Sequence, residues 1–491
     1  MIGVTERRRA AARRAADVTD RALRSNRWRP IAGRPSFEAK LVTARILRSL
    51  DRARDDRIDV SRPGRALLAS APDAIDRLAT RLPRGSVVVS GTNGKTTITA
   101  MTAGIVARAG WRPVTNRVGA NMAGGVAAAL AEAARAGGRM AGSIGVFELD
   151  ELWLGRVAPR LQPGVVVLAN LFRDQLDRMG ELDTITARWE RMLDEMDTEA
   201  TVVLCADDAR VASLAGGRTG VVTFGLEDVE LDRATLPSAA DRPRCTCGAR
   251  IALDRVLLGH LGHWHCPACG RARPRPDVYA TDVRLRGLDG SSFTLHTPGG
   301  EASVELRVPG IYNVSNALAA SAAAHALGIS PALTARALDD ARSVFGRAEE
   351  LRVDGSRFVV LLMKNPTGAD EVLRVLEHEA AHGPLDLLAL LNDNDLDGRD
   401  VSWIWDADFE RLAGGLRRVT CAGTRAADLA LRLRYAGVPA DRLAVCEPVE
   451  VALGRSAAEA DGNVVVLANY TAMLEVRELV AEQRFADRYW R

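Results

Sequence analysis

The sequence predicts an α/β protein built on two successive, mostly parallel sheets, with a cysteine-rich insertion interrupting the first. Three observations carry this expectation. From about residue 85 short apolar runs alternate with helical stretches; a glycine turn, Gly91-Thr92-Asn93-Gly94-Lys95-Thr96-Thr97, follows the first run at once; and two cysteine pairs break the alternation between residues 241 and 277. Parallel strands covered on both faces read as continuous Val/Ile/Leu runs, and joining them requires a crossover long enough for a helix.

At 491 residues the chain is too long for one core and divides into parts. Residues 1–50 form a basic segment, with thirteen Arg/Lys against four Asp/Glu, a balance of +9 inside a chain whose net charge is only +3. Two readings of Arg7 to Arg29 stand side by side: an amphipathic helix drawn to anionic lipid or a diphosphate-bearing substrate, and a solvated tail. Residues 51–347 form a central unit with strands at Val87–Val89, Ile144–Phe147, Val165–Asn170, Val202–Cys205 and Val221–Phe224, the insertion at 241–277, short strands within 278–308, and Ala-rich helices over 313–345. Residues 348–491 form a smaller α/β unit with strands Phe358–Met363, Leu385–Leu391, Arg418–Cys421 and Val464–Ala468. No run approaches the roughly 18 apolar residues of a membrane span, and no apolar stretch follows the Arg-rich start, so a cytoplasmic protein is expected.

The order strand, glycine turn, helix start is what a phosphate cradle requires. Glycines let backbone N–H groups approach phosphate, the helix N-terminus adds partial positive charge, and Lys95 and Thr96 reach the terminal phosphates and Mg²⁺. The chain has only three lysines, Lys40, Lys95 and Lys364, so a lysine kept inside this turn points to a need for a compact ammonium. Val89 stands five positions before Gly94, so the loop is a shortened variant of the usual phosphate loop. ATP binding is expected, with Gly91, Thr92, Asn93, Gly94, Lys95, Thr96 and Thr97 as the cradle.

In parallel sheets the residues just past the strand ends line the site. After the second strand stand Glu148, Asp150 and Glu151; Glu148, nearest the strand end, is expected to hold Mg²⁺, with solvated acids at a helix start as the competing reading for the other two. The third strand ends at Asn170 and a dense polar stretch reaching Gly180. Cys245, Cys247, Cys266 and Cys269 read as a Cys₄ zinc ribbon in a reducing compartment. Glycine follows each pair and permits the tight turns toward sulfur; four thiolates make a closed structural Zn²⁺ site able to fold an insert without its own core. His260, His263 and His265 are candidate substitute ligands, with exposed loop residues as the favoured reading, and Cys205, Cys421 and Cys446 are expected to be inert core residues. Residues 392–406 hold five aspartates and two tryptophans, and Ile404 at the position where a calcium loop needs a carboxylate argues against Ca²⁺.

Taken together, the glycine loop, the strand-end Glu148, the Asn170-x-x-x-Asp174-x-Leu176-Asp177-x-x-Gly180 segment and Pro309-Gly310-Ile311-Tyr312-Asn313-Val314-Ser315-Asn316-Ala317 resemble the ATP-dependent Mur ligase superfamily over roughly residues 85–350. The resemblance implies that a carboxylate is activated as an acyl phosphate and attacked by an amine. It further implies that Thr96 and Glu148 hold Mg²⁺, that Asn170 belongs to the nucleotide site, that Asn316 meets the adenine, and that Arg347 and Lys364 reach the phosphates. Two departures stand out: no lysine occurs from Thr184 to Asp197, where amino-acid-adding members place one, and only some 85 residues precede the loop, short of a nucleotide-sugar-binding domain. With the Cys₄ insert and Asp397-Gly398-Arg399-Asp400-Val401-Ser402-Trp403-Ile404-Trp405-Asp406, these departures resemble the branch that amidates the D-glutamate of lipid II with ammonia from a GatD-like glutaminase. That resemblance implies an aspartate, Asp400 first and Asp397 second, that orients the partner's catalytic histidine, while Trp403 and Trp405 read equally as interface anchors or core. The rival readings are a ligase that adds an amino acid, similar to folylpolyglutamate synthase, and a zinc-ribbon nucleic-acid binder. Only Trp264 and Tyr279 supply aromatics near the cysteines, which speaks against the second.

Overall fold

The computed structural model describes residues 36–54, 61–116, 119–135, 138–173, 182–196, 199–232, 244–342 and 347–482, with the backbone alone for 48–54, 229, 347 and 482. Arg7 to Arg29, Asp174 to Gly180 and the Arg347 side chain therefore lie outside the described residues.

The first sheet has nine strands in the order β11-β10-β9-β6-β5-β4-β1-β3-β2. They are β1 (Ser86–Ser90), β2 (Pro113–Thr115), β3 (Ile144–Glu148), β4 (Val165–Leu168), β5 (Thr201–Cys205), β6 (Val221–Leu226), β9 (Val278–Leu285), β10 (Ser291–Thr297) and β11 (Gly300–Leu306). Pairing is parallel from β2 through to β9 and antiparallel across β9, β10 and β11. The apolar runs give β1, β3 and β4, each buried along its whole length. β10 alternates buried and half-buried residues instead, as a strand covered on one face does. β1 lies between β3 and β4, so the chain leaves it in opposite directions; the carboxyl ends of these three strands open a crevice at the switch point, and the glycine loop, Glu148 and Asn170 lie there.

The second sheet has the order β12-β13-β17-β14-β15-β16, with β12 (Arg347–Val353), β13 (Ser356–Leu362), β14 (Leu385–Leu390), β15 (Leu416–Ala422), β16 (Leu443–Val445) and β17 (Val464–Ala468). Only the β12/β13 pair is antiparallel. Successive side chains along a strand face opposite ways, so Leu387 and Ala389 join one apolar cluster with Trp403 and Phe409, while Leu388 and Leu390 join another with Phe358 and Met473. β2 and β16, three residues each at sheet edges, carry too little apolar pattern to be read from the sequence.

The insertion folds as an antiparallel hairpin, β7 (Ala252–Leu258) with β8 (Leu261–His265). It has a small core after all, shared with its host: Trp264, Ile251 and Leu253 pack on Ala209 and Ala212. Trp264 Nε1 donates to Ala206 O at 2.9 Å. Arg273 fastens the outgoing chain, with Nε 2.7 Å from Asp207 Oδ1 and Nη1 2.6 Å from Glu227 Oε1. No described helix is long and apolar enough to cross a membrane.

Candidate active site

The glycine loop is shaped by the strand beside it. Asn170, just past β4, accepts through Oδ1 from Asn93 N (2.9 Å) and donates through Nδ2 to Asn93 O (3.0 Å), and its own carbonyl accepts from Thr92 N (2.9 Å). Thr92 Oγ1 also accepts from Phe172 N at 3.0 Å. Gly94 caps the helix Lys95–Arg108 with φ of +85°, and a Cβ there would lie 2.0 Å from Asn316 Oδ1. Glycine is required at this position both for the backbone angle and because Asn316, on the helix Ile311–Ala326, fills the space. Lys95 is buried and folds back over its own loop: Nζ donates to Gly91 O, to Thr92 O at 3.1 Å and to Glu151 Oε2 at 3.0 Å. Burial pushes the Glu151 carboxyl up from its ordinary value, against the pull of Lys95 and Lys364, and its Oε1 has no hydrogen-bond partner among the described residues. Solvation is thus not the state of Glu151, and the alternative reading of it as a solvated acid fails.

A cavity of about 1120 Å³ opens between the two sheets, lined on one side by Thr92, Asn93, Gly94, Lys95, Thr96 and Glu148 and on the other by Lys364, Thr367 and Glu371. It exceeds the roughly 300–1,000 Å³ of a single small-molecule site, which leaves room for two reactants. Asn170 and Asn316 also line it; Gly91 and the buried Thr97 support it from behind. Asn116 holds Glu148 by both backbone groups, at 2.9 Å each, and the Thr96 hydroxyl and Glu148 carboxylate are the hard oxygen donors that suit Mg²⁺. Across the cavity Asn365 Nδ2 donates to Asn93 Oδ1 at 3.0 Å, tying the two halves together, while its Oδ1 accepts from Gly368 N at 2.8 Å and caps the helix Pro366–Ala380.

The acidic segment after β14 divides by burial. Asp397 is buried and accepts from Thr471 N at 2.9 Å and from the Thr471 hydroxyl; burial raises its carboxyl. It is committed to the helix Tyr470–Glu482, which removes it as a group offered to a partner. Asp400 is at the surface, where the Ser402 hydroxyl and N–H hold its carboxyl below the usual range, the N–H at 2.8 Å. Asp393 and Asp395 bond Thr424 and Arg399 separately, so these acids do not converge on a cation. Trp403 is buried, whereas Trp405 is 47% exposed beside Tyr435, with ring centroids 5.5 Å apart.

The four thiols of the insertion lie within 4.8 Å of one another, with Sγ separations of 3.6 Å for Cys245 and Cys269 and 3.5 Å for Cys247 and Cys266. Sulfurs at ~2.3 Å around a tetrahedral ion stand about 3.8 Å apart, so the cluster fits a metal. The histidines differ from expectation: His260 is buried edge-on against Phe172, His263 Nε2 is 3.1 Å from Leu226 O, and His265 pairs with Asp254. Cys205 and Cys421 are buried in the cores.

Profiles of known families match both halves: the Mur ligase middle domain over residues 89–245 and the MurT ligase C-terminal family over residues 362–473. The "Lipid II isoglutaminyl synthase (glutamine-hydrolyzing) subunit MurT" of Streptococcus pneumoniae is 34% identical over 426 residues, covering 86% of this chain and 92% of that protein. The chain belongs to the MurT family. Its Staphylococcus aureus relative of the same name is 29% identical over 422 residues, 85% of this chain and 91% of that one. A pseudomurein peptide ligase type C from Methanothermus fervidus shares the fold, with a TM-score of 0.60 at 23% identity over 83% of this chain and 80% of that one.

The MurT C-terminal match contains Lys364 and Asn365, which face the loop from the second sheet, the buried Asp397, and Asp400 at the surface. Sequence reasoning missed three contributors. Glu151 has no local signal that separates it from a solvated acid, Asn365 signals only a helix cap before Pro366, and the place of Phe172 against His260 depends on how the insertion folds back.

Proposed function

We propose that this MurT-family chain is the synthase subunit of a glutamine-dependent amidotransferase that converts the D-glutamate α-carboxylate of the lipid II stem peptide to D-isoglutamine, a step in cell-wall peptidoglycan synthesis. A carboxylate oxygen attacks the γ-phosphorus of ATP and ADP departs; ammonia from a GatD-like glutaminase attacks the acyl carbon, and phosphate leaves carrying that oxygen. The observation that carries the reading is the cavity in which Lys95, in its glycine loop, is faced by Lys364 from the other half. Lys364, and Lys95 once its ammonium exchanges a loop carbonyl for a phosphate oxygen, neutralise the charge that builds on the transferring phosphoryl group, and Asn170 and Asn93 fix the loop that carries Lys95.

Thr96 and Glu148 are the residues that would hold Mg²⁺, and the ion when bound would offset the charge of the phosphates. Asn316, lying against Gly94, is assigned to the adenine end and Arg347 to the phosphates, and Cys245, Cys247, Cys266 and Cys269 to structural Zn²⁺. Asp400, exposed and held as a carboxylate, is the acid offered to the glutaminase histidine, and the exposed edge-on pair Trp405 and Tyr435 is offered as an apolar contact. The proposed division is 1–50, 51–347 and 348–491, except that the helix Phe37–Arg54 crosses residue 50 and buries Phe37, Leu41 and Ala44 in the core of the central unit. The basic residues ahead of that helix are assigned to the inner membrane face where the lipid-linked substrate lies. Amidation is favoured over addition of an amino acid because the helix Leu182–Glu195 offers no lysine.

The test is isotopic. With ¹⁸O in the substrate carboxylate, the complex should release one labelled phosphate oxygen per carboxamide formed, with ATP consumption dependent on lipid II and glutamine. Carboxamide formation with unlabelled phosphate, or ATP turnover that ignores lipid II, would defeat the proposal.

A further inference from the structure

The insertion touches more than the sheet it hangs from. Its hairpin turns at Leu258-Gly259-His260-Leu261, and this tip reaches the seam between the two halves. Gly259 has φ of +57°, and a Cβ there would lie 2.9 Å from both Phe172 Cε1 and Thr367 Cγ2. Those atoms belong to opposite sides of the seam. Phe172 is the residue whose backbone brackets the Thr92 hydroxyl, and Thr367 follows Lys364 and Asn365 by a few positions. The buried His260 ring meets Phe172 edge-on with centroids 4.9 Å apart. On the other flank Arg374 Nη1 donates to Leu257 O at 3.4 Å, and Leu258 lines the cavity itself.

The opposite end of the same hairpin is the thiol cluster. Cys266 follows directly on His265, the last residue of β8, so five strand residues, about 17 Å at ~3.4 Å each, separate the cluster from the tip. Trp264 Nε1 on Ala206 O and Arg273 on Asp207 fix the base to the end of β5, and Arg273 on Glu227 and Leu226 O fixes it to the end of β6. A short two-stranded hairpin is marginal by itself; one held at its base by a metal becomes a rigid strut.

We propose that the hairpin of the Cys₄ insertion is a positioning element of the nucleotide site, setting the spacing between the Thr92 loop and the Lys364 segment through Leu258, Gly259 and His260. Metal held by the four cysteines then acts on nucleotide binding from a distance. The proposal rests on the ATP-binding reading given above, and the two are separable: the wild-type complex tests that reading, and tip variants test this one.

Three readings are taken on the full chain in complex with its glutaminase: ATP affinity by titration calorimetry, KM and kcat for ATP, and bound zinc by elemental analysis. Gly259→Val forces a side chain between Phe172 and Thr367 without touching a cysteine, and Leu258→Ala removes the cavity contact without strain. Both should keep the zinc content of wild type. Each should bind ATP roughly tenfold more weakly, with KM for ATP rising more than kcat falls, as expected for a misplaced but intact catalytic set. Cys266→Ser should lose zinc and ATP affinity together, while Arg250→Ala, on the exposed part of the insertion, should match wild type. If Leu258→Ala and Gly259→Val, or Leu258→Ala alone should Gly259→Val not fold, bind ATP as wild type does, the insertion has no positioning role. The same holds if Cys266→Ser loses zinc at unchanged ATP affinity. A wild-type complex that binds no ATP would instead remove the reading beneath.

Discussion

Glu151 and Lys95 form a buried ion pair at the base of the glycine loop, Oε2 to Nζ 3.0 Å, with side chains 1% and 8% exposed. Two backbone carbonyls of the loop complete the ammonium's shell, so its direction is set by the fold before any phosphate arrives. Breaking a buried pair by removing one member leaves a charge without compensation, which costs about 3–5 kcal/mol. Glu151→Ala should therefore destabilise the protein by about 3 kcal/mol in denaturant titration, and Glu151→Gln, which keeps an acceptor for Lys95, by less. Equal stability of wild type and Glu151→Ala would show that the loop carbonyls suffice.

The same pair has a pH signature. Burial raises the Glu151 carboxyl above its ordinary 4.5, so its contribution to stability is fully present below that value and is lost as pH climbs through the raised one. Glu151→Gln cannot titrate. Wild-type Tm measured against that of Glu151→Gln should thus fall as pH rises above the ordinary carboxylate range, the reverse of the usual carboxylate behaviour. A difference that rises with pH would mean that Lys95 outweighs desolvation.

Asn365 does two things that a pair of substitutions separates. Asn365→Asp keeps the oxygen that caps the helix Pro366–Ala380 but loses the Nδ2 that reaches Asn93. Asn365→Ala loses both, at an added cost of ~1 kcal/mol for the cap. The Asp variant should show near-wild-type Tm with a several-fold higher KM for ATP, and the Ala variant should show both defects. An Asp variant with unchanged KM would leave the contact between the halves without a kinetic role.

Asp400 and Asp397 should behave differently although they are three positions apart. Asp400 is exposed and ionised, so Asp400→Asn should spare amidation driven by free ammonia while suppressing amidation driven by glutamine by orders of magnitude, as expected for an acid that orients a histidine. Asp397→Asn weakens the acceptor for Thr471 inside the protein and should lower Tm and both activities together. Loss of ammonia-driven turnover in Asp400→Asn would refute its role at the interface.

Much of this molecule is written locally. The Val runs at 87–89 and 165–168, the glycine turn between strand and helix, and the paired cysteines each declare themselves because a buried parallel strand, a phosphate cradle and a thiolate cluster demand particular residue types at fixed spacing. Of the strands that escaped notice, β2 and β16 are three-residue edge strands, too short for periodicity to register. The acidic segment shows the limit most plainly. Asp393, Asp395, Asp397 and Asp400 are indistinguishable as letters, and only the approach of Thr471 from a helix 70 residues further on buries one of them and leaves Asp400 at the surface.

The chain by itself determined the fold class, the loop and its lysine, and the cysteine cluster, since each depends on neighbours within a few positions. Tertiary structure alone decided that Glu151 faces Lys95, that Asn365 meets Asn93 and that the hairpin tip lies between Phe172 and Thr367. These contacts join residues 56, 272 and some hundred positions apart. Their energy comes from burial and charge at sites that exist only once both sheets are packed, and no local pattern encodes such a site.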